Sequence, residues 1–172
     1  MHPRLRTLTI IHFAITSGLV MVLAVFYMIG SGMLGEGAPP PSATDEGLDA
    51  ELFVPLVFLM ALGGAAASFF LPNIIASKLK PVVGDSGASA GYQPLGAAEL
   101  EELVRQYQQV KIVQWALLDG PGLFAGAVFF LTGRIEVLGA GALMIALLLY
   151  FRASRADLQQ RFGLSDQQLA DF

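Results

Sequence analysis

The sequence predicts an all-α polytopic membrane protein with four transmembrane helices arranged as two hairpins. Of its 172 residues, 55% are hydrophobic and only 14% are charged, whereas soluble domains are about 45–50% apolar and about 25% charged. The chain also contains four apolar runs near the roughly 20 residues that a helix needs to cross a bilayer. These runs cover 7–30, 52–77, 112–131 and 135–151. The predicted environment is therefore the lipid bilayer.

Composition excludes several classes of function. The net charge of −4 argues against nucleic acid as a partner, because nucleic-acid binding needs a basic face. The absence of cysteine excludes disulfides, thiolate metal sites and thiol catalysis. Only two histidines are present, one of them at position 2, and the sequence shows no nucleophile–base pair or cluster of metal ligands. We therefore expect no catalytic residue, metal or cofactor, and predict that the protein is not an enzyme.

The first span follows a short N-terminal segment, 1–6, that carries Arg4 and Arg6. A basic segment before an apolar run resembles a signal peptide, but the apolar core here is about 20 residues rather than the usual 7–15. We therefore predict a retained helix. The following loop, 31–51, is acidic and rich in glycine and proline, which predicts a solvated connector without regular structure. A partner-binding loop is the alternative.

The basic residues set the orientation of the spans. They precede the first span, lie between the second and the third, and follow the fourth, and only Arg134 lies on the opposite side. Cytoplasmic segments carry an excess of lysine and arginine. The sequence therefore predicts that the N-terminus, the segment 78–111 and the tail, 152–172, are cytoplasmic, and that the acidic loop lies outside.

The segment 78–111 begins as a glycine-rich loop and changes to a helical pattern from Ala97. Its apolar positions then follow the i, i+3, i+4, i+7 spacing of one helix face. These positions are Leu100, Leu103, Val104 and Tyr107. Because no helix breaker separates them from the third span, we predict one long helix that extends from the membrane into the cytoplasm. Its apolar stripe is expected to pack on the tail or on a partner.

The tail is predicted to continue helix 4 and to stop at Gly163. Ser165 and Gln168 then have the spacing of a capping box, which would open a last short helix. Apolar tail residues could cover the stripe of the cytoplasmic helix. They are Leu158, Phe162, Leu164, Leu169 and Phe172. A frayed tail is the alternative.

The first and third spans resemble each other when Ile10 is aligned with Ile112. Ser17 then meets Asp119, and small residues coincide along the two segments. This pattern suggests a parallel internal repeat about an axis along the membrane normal, with spans 1 and 3 as the equivalent pair. Chance matching between two apolar segments is the alternative.

The third span is interrupted by Asp119, Gly120, Pro121 and Gly122 in the stretch QWALLDGPGLFAGAVFFLTG. Pro121 lacks an N–H and crowds the carbonyl four residues earlier, so we expect a helix kink. The two glycines remove bulk and allow another helix to come close. A carboxylate inside a membrane is costly unless it is protonated, hydrogen-bonded or hydrated. We therefore expect Asp119 to face the bundle interior, near Ser17 of helix 1.

Other polar residues could join Asp119 in a pocket that opens to the cytoplasm. They are Ser17 and Thr16 at a comparable depth on helix 1, with His12, Asn73 and Gln114 nearer the cytoplasmic face. Such a pocket suits a proton or a cation. The other interpretation is structural: the acid donates a hydrogen bond to a carbonyl freed by Pro121. The sequence leaves both open, and we prefer the structural one.

The stretch VQWALLDGPGLFAGAVFFLTG resembles a family of small bacterial four-helix membrane proteins whose third span carries a W-A-L-L-[E/D]-G-P motif. The resemblance covers the whole outline of the chain, although Asp119 stands where glutamate is commoner and Gly122 where alanine is. It implies four spans, a bacterial inner-membrane location and Asp119 as the candidate site, without a particular activity. A looser resemblance to the proteolipid subunits of rotary ATPases lacks their glycine-repeat helix.

The sequence leaves two functions open. The first is a non-enzymatic accessory subunit that packs with itself or with another membrane protein through the cytoplasmic helix and the tail. The second is a small proton- or cation-coupled transporter or channel that uses Asp119. We take the first as the prediction and keep the second as the alternative.

Overall fold

A computed structural model of the chain describes residues 3–33, 50–79 and 97–162. Every secondary-structure element in these ranges is a helix: α1 (Pro3–Gly30), α2 (Ala50–Leu79), α3 (Ala97–Thr132), α4 (Glu136–Tyr150) and α5 (Arg155–Phe162). The predicted all-α class is therefore confirmed. The helices α1, α2 and α3 are long and apolar enough to cross a membrane, whereas α4 is apolar but shorter, with 15 residues.

Glycine ends two of the long helices. In α1 this residue is Gly32, with φ +73°; its amide bonds the Ile29 carbonyl and the following amide bonds the Met28 carbonyl, which is a Schellman motif. In α3 it is Gly133, with φ +66°, whose amide bonds the Phe129 carbonyl. Glycine is the residue that adopts this left-handed conformation without a steric penalty, so both helix ends are set by the sequence.

The helix α4 folds back antiparallel along α3. Gly141 lies near Ala125 toward one end of the pair, and the Trp115 indole donates to the Phe151 carbonyl at the other end. A tight turn at Gly133 joins the two helices. α3 and α4 therefore form a packed hairpin, as helices joined by a short connection usually do.

The helix α1 runs parallel to α3. In its N-terminal half the His12 ring lies 4.9 Å from the Trp115 ring, and one turn from its end Phe26 stacks on Phe130 at 5.6 Å. Residue numbers thus rise together along both helices. This arrangement agrees with the parallel orientation that the proposed repeat requires, but it does not show that a repeat exists.

The helix α2 packs antiparallel on another face of α3. A side chain at Gly64 would meet the Leu117 carbonyl, and the Gln114 amide donates to the Ser68 carbonyl at 2.9 Å. Within the described residues α1 and α2 hardly touch each other. The predicted hairpin of helices 1 and 2 is therefore not seen as a packed pair. The reason is that both helices use α3 as their common packing surface.

The long helix predicted from the amphipathic pattern is present, because α3 runs unbroken from Ala97 to Thr132. Leu103, Val104 and Tyr107 of its stripe are buried and belong to the same core as Leu158 of α5. The side chains of the other tail residues expected to cover this stripe are outside what the structure describes. They are Phe162, Leu164, Leu169 and Phe172. The described part of the stripe is thus covered by the chain itself.

The prediction that helix 4 continues into the tail is wrong. The Phe151 amide still bonds the Leu147 carbonyl, but the Phe151 carbonyl accepts side-chain hydrogen bonds, which a further helical turn would replace. A new helix then starts after Ser154, whose hydroxyl accepts the Asp157 amide at 3.1 Å as an N-cap. The predicted capping box at Ser165 lies outside the described residues.

Candidate functional site

Lys111 lies at the centre of a buried layer of polar side chains. At the level of this layer α1, α2, α4 and the tail all contact α3. Its ammonium lies 2.9 Å from Asp157 Oδ2 and donates at 3.2 Å to Gln114 Oε1 and to the Phe151 carbonyl. The Lys111 side chain is 1% exposed and that of Asp157 26%. A buried charge is tolerated only when it is paired and hydrogen-bonded, and both conditions hold here. We call this region the polar layer; it comprises His12, Tyr107, Lys111, Gln114, Trp115, Ser154 and Asp157.

The polar layer also supplies hydrogen-bond donors to the carbonyl groups at the C-terminal end of α4. The last carbonyls of a helix lack intrahelical donors and carry a partial negative charge. The Phe151 carbonyl accepts from Trp115 at 3.1 Å as well as from the Lys111 ammonium. His12 Nε2 lies 2.7 Å from the Leu148 carbonyl; because a carbonyl only accepts, this nitrogen carries the proton. A positive charge and two ring N–H groups therefore cap α4.

Tyr107 and Ser154 tie the tail to the same layer. The Tyr107 hydroxyl donates to Asp157 Oδ2 at 2.9 Å and accepts from the Ser154 amide at 3.2 Å. Since Gln114 reaches α2 through the Ser68 carbonyl, the layer connects α2, α3, α4 and the tail. These polar groups find their partners within the chain, so the arrangement acts as a structural lock and not as a vacant ligand site.

Asp119 lies one turn beyond the polar layer, on the outer flank of the contact between α1 and α3. Eleven residues make three helical turns, and Phe130, eleven residues after Asp119, stacks on Phe26. Because α1 runs parallel to α3, the α1 residue eleven positions before Phe26 lies level with Asp119. This residue is Ile15. Its side chain is only partly buried, and none of the residues that the structure describes hydrogen-bonds or ion-pairs with it. Asp119 is therefore half-buried and not fully interior, and its proximity to Ser17 stays a prediction.

The remaining candidate residues do not form a common pocket. The Ser17 hydroxyl is exposed and donates to the Ala14 carbonyl of its own helix at 3.2 Å. Asn73 is exposed as well and donates to the Phe69 carbonyl at 3.0 Å. His12 and Gln114 belong to the polar layer. The predicted pocket around Asp119 is thus divided, because helical periodicity directs these side chains to different faces.

Thr16 is the one candidate that is buried without a partner. Its hydroxyl is the only buried side-chain polar atom within the described residues that has no hydrogen-bond partner. Thr16 precedes Tyr27 by eleven residues, which is three helical turns, and Tyr27 stacks on Phe129. The α3 residue eleven positions before Phe129 is Leu118, so Thr16 lies level with Leu118. It therefore lies on the opposite flank of the α1–α3 contact from Asp119.

The glycines around Pro121 divide by their environment. A Cβ on Gly122 would lie 2.8 Å from Leu19 of α1, whereas one on Gly120 would meet nothing within 4 Å. Only Gly122 therefore serves the close packing expected of both. Pro121 removes the amide that would bond the Leu117 carbonyl, and Gly64 of α2 lies against this carbonyl. Whether α3 bends here stays a prediction.

A face of α3 remains uncovered between α1 and α2. Among the described residues, the rows of α3 that face α1, α2 and α4 leave one side exposed, and α1 and α2 hardly touch each other across it. We call this side the α3 groove. Its residues are Ile112, Ala116, Asp119, Gly120 and Leu123, all exposed except the half-buried Asp119. The carboxylate of Asp119, which has no partner among the described residues, therefore lies on the α1 side of this open groove.

Sequence reasoning missed the most strongly connected residues. In the sequence Lys111 stands out only as one of the basic residues of the segment 78–111, although a lysine three residues before a glutamine has the spacing of neighbours on a helix face. Asp157 was passed over as a tail residue. The pattern Ser154-Arg-Ala-Asp157 is a signal that could have shown the start of α5, since an acid three residues after a serine is typical of a helix N-terminus.

Comparison with known proteins adds no relative. No protein-family model matches the chain, and no curated protein or solved structure matches it either. The resemblance to the W-A-L-L-[E/D]-G-P family therefore stays a prediction. Among the described residues no group of three metal-ligating side chains comes together, so the interpretation rests on the polar layer and on the α3 groove.

Proposed function

We propose that this chain is a four-span protein of the bacterial inner membrane that acts as a non-enzymatic accessory subunit. In this proposal it docks one transmembrane helix of a partner protein in the α3 groove. The observation that carries the proposal is the carboxylate of Asp119, which is partly exposed in the α3 groove and has no partner among the described residues. The partner helix is expected to bring a hydrogen-bond donor or a basic side chain to the depth of Asp119.

The fourth span rests on α4, which is about 22 Å long at 1.5 Å per residue. Because α4 lies along the apolar part of α3, it occupies the same depth as a helix that is long enough to cross a membrane. The basic residues support an orientation in which both termini and the segment 78–111 are cytoplasmic.

Two physical arguments favour a helix as the occupant of the groove. Asp119 next to lipid is costly unless its surroundings supply a hydrogen bond or a counter-charge. Gly120 has open space around it and Ala116 is small and exposed, and small residues let a neighbouring backbone come close in a membrane. The cytoplasmic stripe, in contrast, is already buried by the chain at Leu103, Val104 and Tyr107. The groove is therefore the better docking surface.

The proposal is tested with synthetic transmembrane helices in lipid vesicles. One is a leucine–alanine helix with a single asparagine at mid-span, and its matched control carries leucine at that position. Association with the full-length protein is measured by energy transfer between fluorophores. We expect the asparagine helix to bind about tenfold more tightly, because a membrane hydrogen bond contributes about 1–2 kcal/mol in model peptides.

Variants of Asp119 show whether the preference for the asparagine helix depends on its carboxylate. Asp119→Leu should abolish the preference for the asparagine helix, while Asp119→Asn, which can still form a hydrogen bond, should keep most of it. Ser17→Ala, a change at an exposed polar residue away from the groove, is the control and should have no effect. Equal binding of both helices by the unaltered protein would defeat the proposal.

A proton- or cation-coupled activity is the second candidate, because an unpaired carboxylate can also bind an ion. It predicts pH-dependent flux in proteoliposomes that contain the protein alone, and loss of this flux in Asp119→Asn. An accessory subunit predicts no flux above that of empty vesicles. Flux that disappears in the variant would replace the accessory role by the transport role.

The proposed orientation predicts that the acidic loop is accessible from outside the cell. The chain has no native cysteine, so a single Ser42→Cys variant can be labelled without background. An impermeant thiol reagent should label intact spheroplasts at this position. Labelling only after the membrane is opened would reverse the orientation.

A further inference from the structure

An open cleft of about 520 Å³ lies between the N-terminal part of α1 and the end of α4. It is lined by Thr9, His12, Phe13, Leu149, Arg152, Ala153 and Ser154. Phe13 is 72% exposed and Leu149 57%, and Arg152 is exposed beside them. One cleft therefore combines large apolar surface with a guanidinium group.

A second arginine lies next to this cleft. Arg6, Thr9 and Phe13 share one face of α1, because they are spaced at i, i+3 and i+7. Arg6 is exposed and stands one turn before Thr9, at the start of the apolar stretch of α1. Within the described residues neither Arg6 nor Arg152 forms an ion pair. The cleft thus has two positive charges, which no acid in the described part of the chain neutralises, at the end of a membrane-length helix.

The end of α4 does not cancel this positive potential. Helix C-termini repel anions through their free carbonyls, but the Leu148 and Phe151 carbonyls already accept hydrogen bonds from His12, Lys111 and Trp115. The acid in the described part of the tail, Asp157, is held by Lys111. Among the described residues, an anion in the cleft would therefore meet the two arginines without an opposing carboxylate.

We propose that this cleft binds the phosphate headgroup of an anionic phospholipid. Arg6 and Arg152 bind the phosphate, for which the planar guanidinium is well suited, and Phe13 and Leu149 contact the acyl chains. Basic pockets between transmembrane helices bind anionic headgroups in this way. A soluble phosphate compound would leave the apolar half of the cleft uncovered. The proposal requires that α1 cross the membrane, but it does not depend on a partner helix in the α3 groove.

The test uses the full chain in a neutral detergent with equal amounts of phosphatidylglycerol and phosphatidylcholine. Bound lipid is counted by native mass spectrometry. We expect retention of phosphatidylglycerol over phosphatidylcholine, and a loss of about 30-fold in this preference for the Arg6→Gln/Arg152→Gln variant. The matched control is Arg134→Gln, an exposed arginine at the opposite end of the bundle, which should bind as the unaltered protein does. Fluorescence of the single tryptophan, Trp115, reports whether each variant is folded.

Three results would overturn the proposal. Equal retention of both lipids by the unaltered protein would show that the cleft has no preference for an anionic headgroup. Inorganic phosphate, added as a separate probe in excess over the lipid, should displace little phosphatidylglycerol. Complete displacement would identify a site for soluble phosphate. If the folded double-glutamine variant kept the full preference, Arg6 and Arg152 would not be the binding residues.

Discussion

Replacing Lys111 by methionine should destabilise the protein by about 3 kcal/mol, the largest loss that we expect from any single polar residue. Removing one partner of a buried ion pair typically costs about 3–5 kcal/mol, because the remaining charge stays buried without compensation. The low end applies here, since Asp157 keeps 26% of its side chain exposed and can be partly rehydrated. Methionine preserves the length of the side chain, so the loss reports the charge and its hydrogen bonds. Unfolding by SDS in mixed micelles measures the difference.

Arg105→Met is the matched control for this substitution. Arg105 lies on the same helix and pairs with Glu102 at 2.6 Å, but both side chains are exposed, at 55% and 36%. Exposed ion pairs contribute about 0–1 kcal/mol, so the control should remain within this range. Similar losses for Lys111→Met and Arg105→Met would contradict the polar layer as a structural lock.

Gly64→Ala should separate α2 from α3 and cost about 2 kcal/mol. A Cβ at this position would lie 2.5 Å from the Leu117 carbonyl and 2.9 Å from Pro121 Cγ. The first neighbour is backbone and cannot move aside without shifting a helix, and overpacking of this kind typically costs about 1–3 kcal/mol. The same SDS titration would show the loss as an earlier transition.

The adjacent glycine gives a control of identical chemistry. A Cβ on Gly63 would meet nothing within 4 Å, so Gly63→Ala should leave stability unchanged or raise it by up to about 1 kcal/mol, because alanine is the better helix former. Equal destabilisation by the two substitutions would mean that α2 does not pack on α3 through Gly64.

The sequence was sufficient to predict the helices but not their neighbours. Apolar runs and the i, i+3, i+4, i+7 stripe depend on local spacing, and they locate the long helix Ala97–Thr132 and the other apolar helices to within a few residues. Which helices touch depends on small residues at particular depths, such as Gly64 and Gly122. Their significance becomes visible only when the facing helix is known, which is why the sequence alone does not show that α1 and α2 both pack on α3.

The candidate site was predicted in part for the same reason. A carboxylate in an apolar run is conspicuous in any sequence, so Asp119 was found. The direction of the Asp119 side chain cannot be predicted in the same way, because a displacement by one residue turns a side chain by about 100° around the helix. This angle separates the exposed Ser17 from the buried Thr16. Lys111 was overlooked since its partner, Asp157, is distant in sequence and reaches it only through the break after α4.

The most direct test of the account measures access to the floor of the α3 groove. A spin label attached to Gly120→Cys, where open space surrounds the backbone, is compared in lipid nanodiscs with a label at Leu62→Cys, an exposed position on α2. The account predicts that oxygen from the lipid phase reaches both labels in the protein alone. Addition of the asparagine helix should then shield the label at position 120 and leave that at position 62 unchanged. If the label at position 120 were shielded from oxygen in the protein alone, the groove would not be open. If a water-soluble relaxation agent reached this label, an ion pathway would be favoured over helix docking.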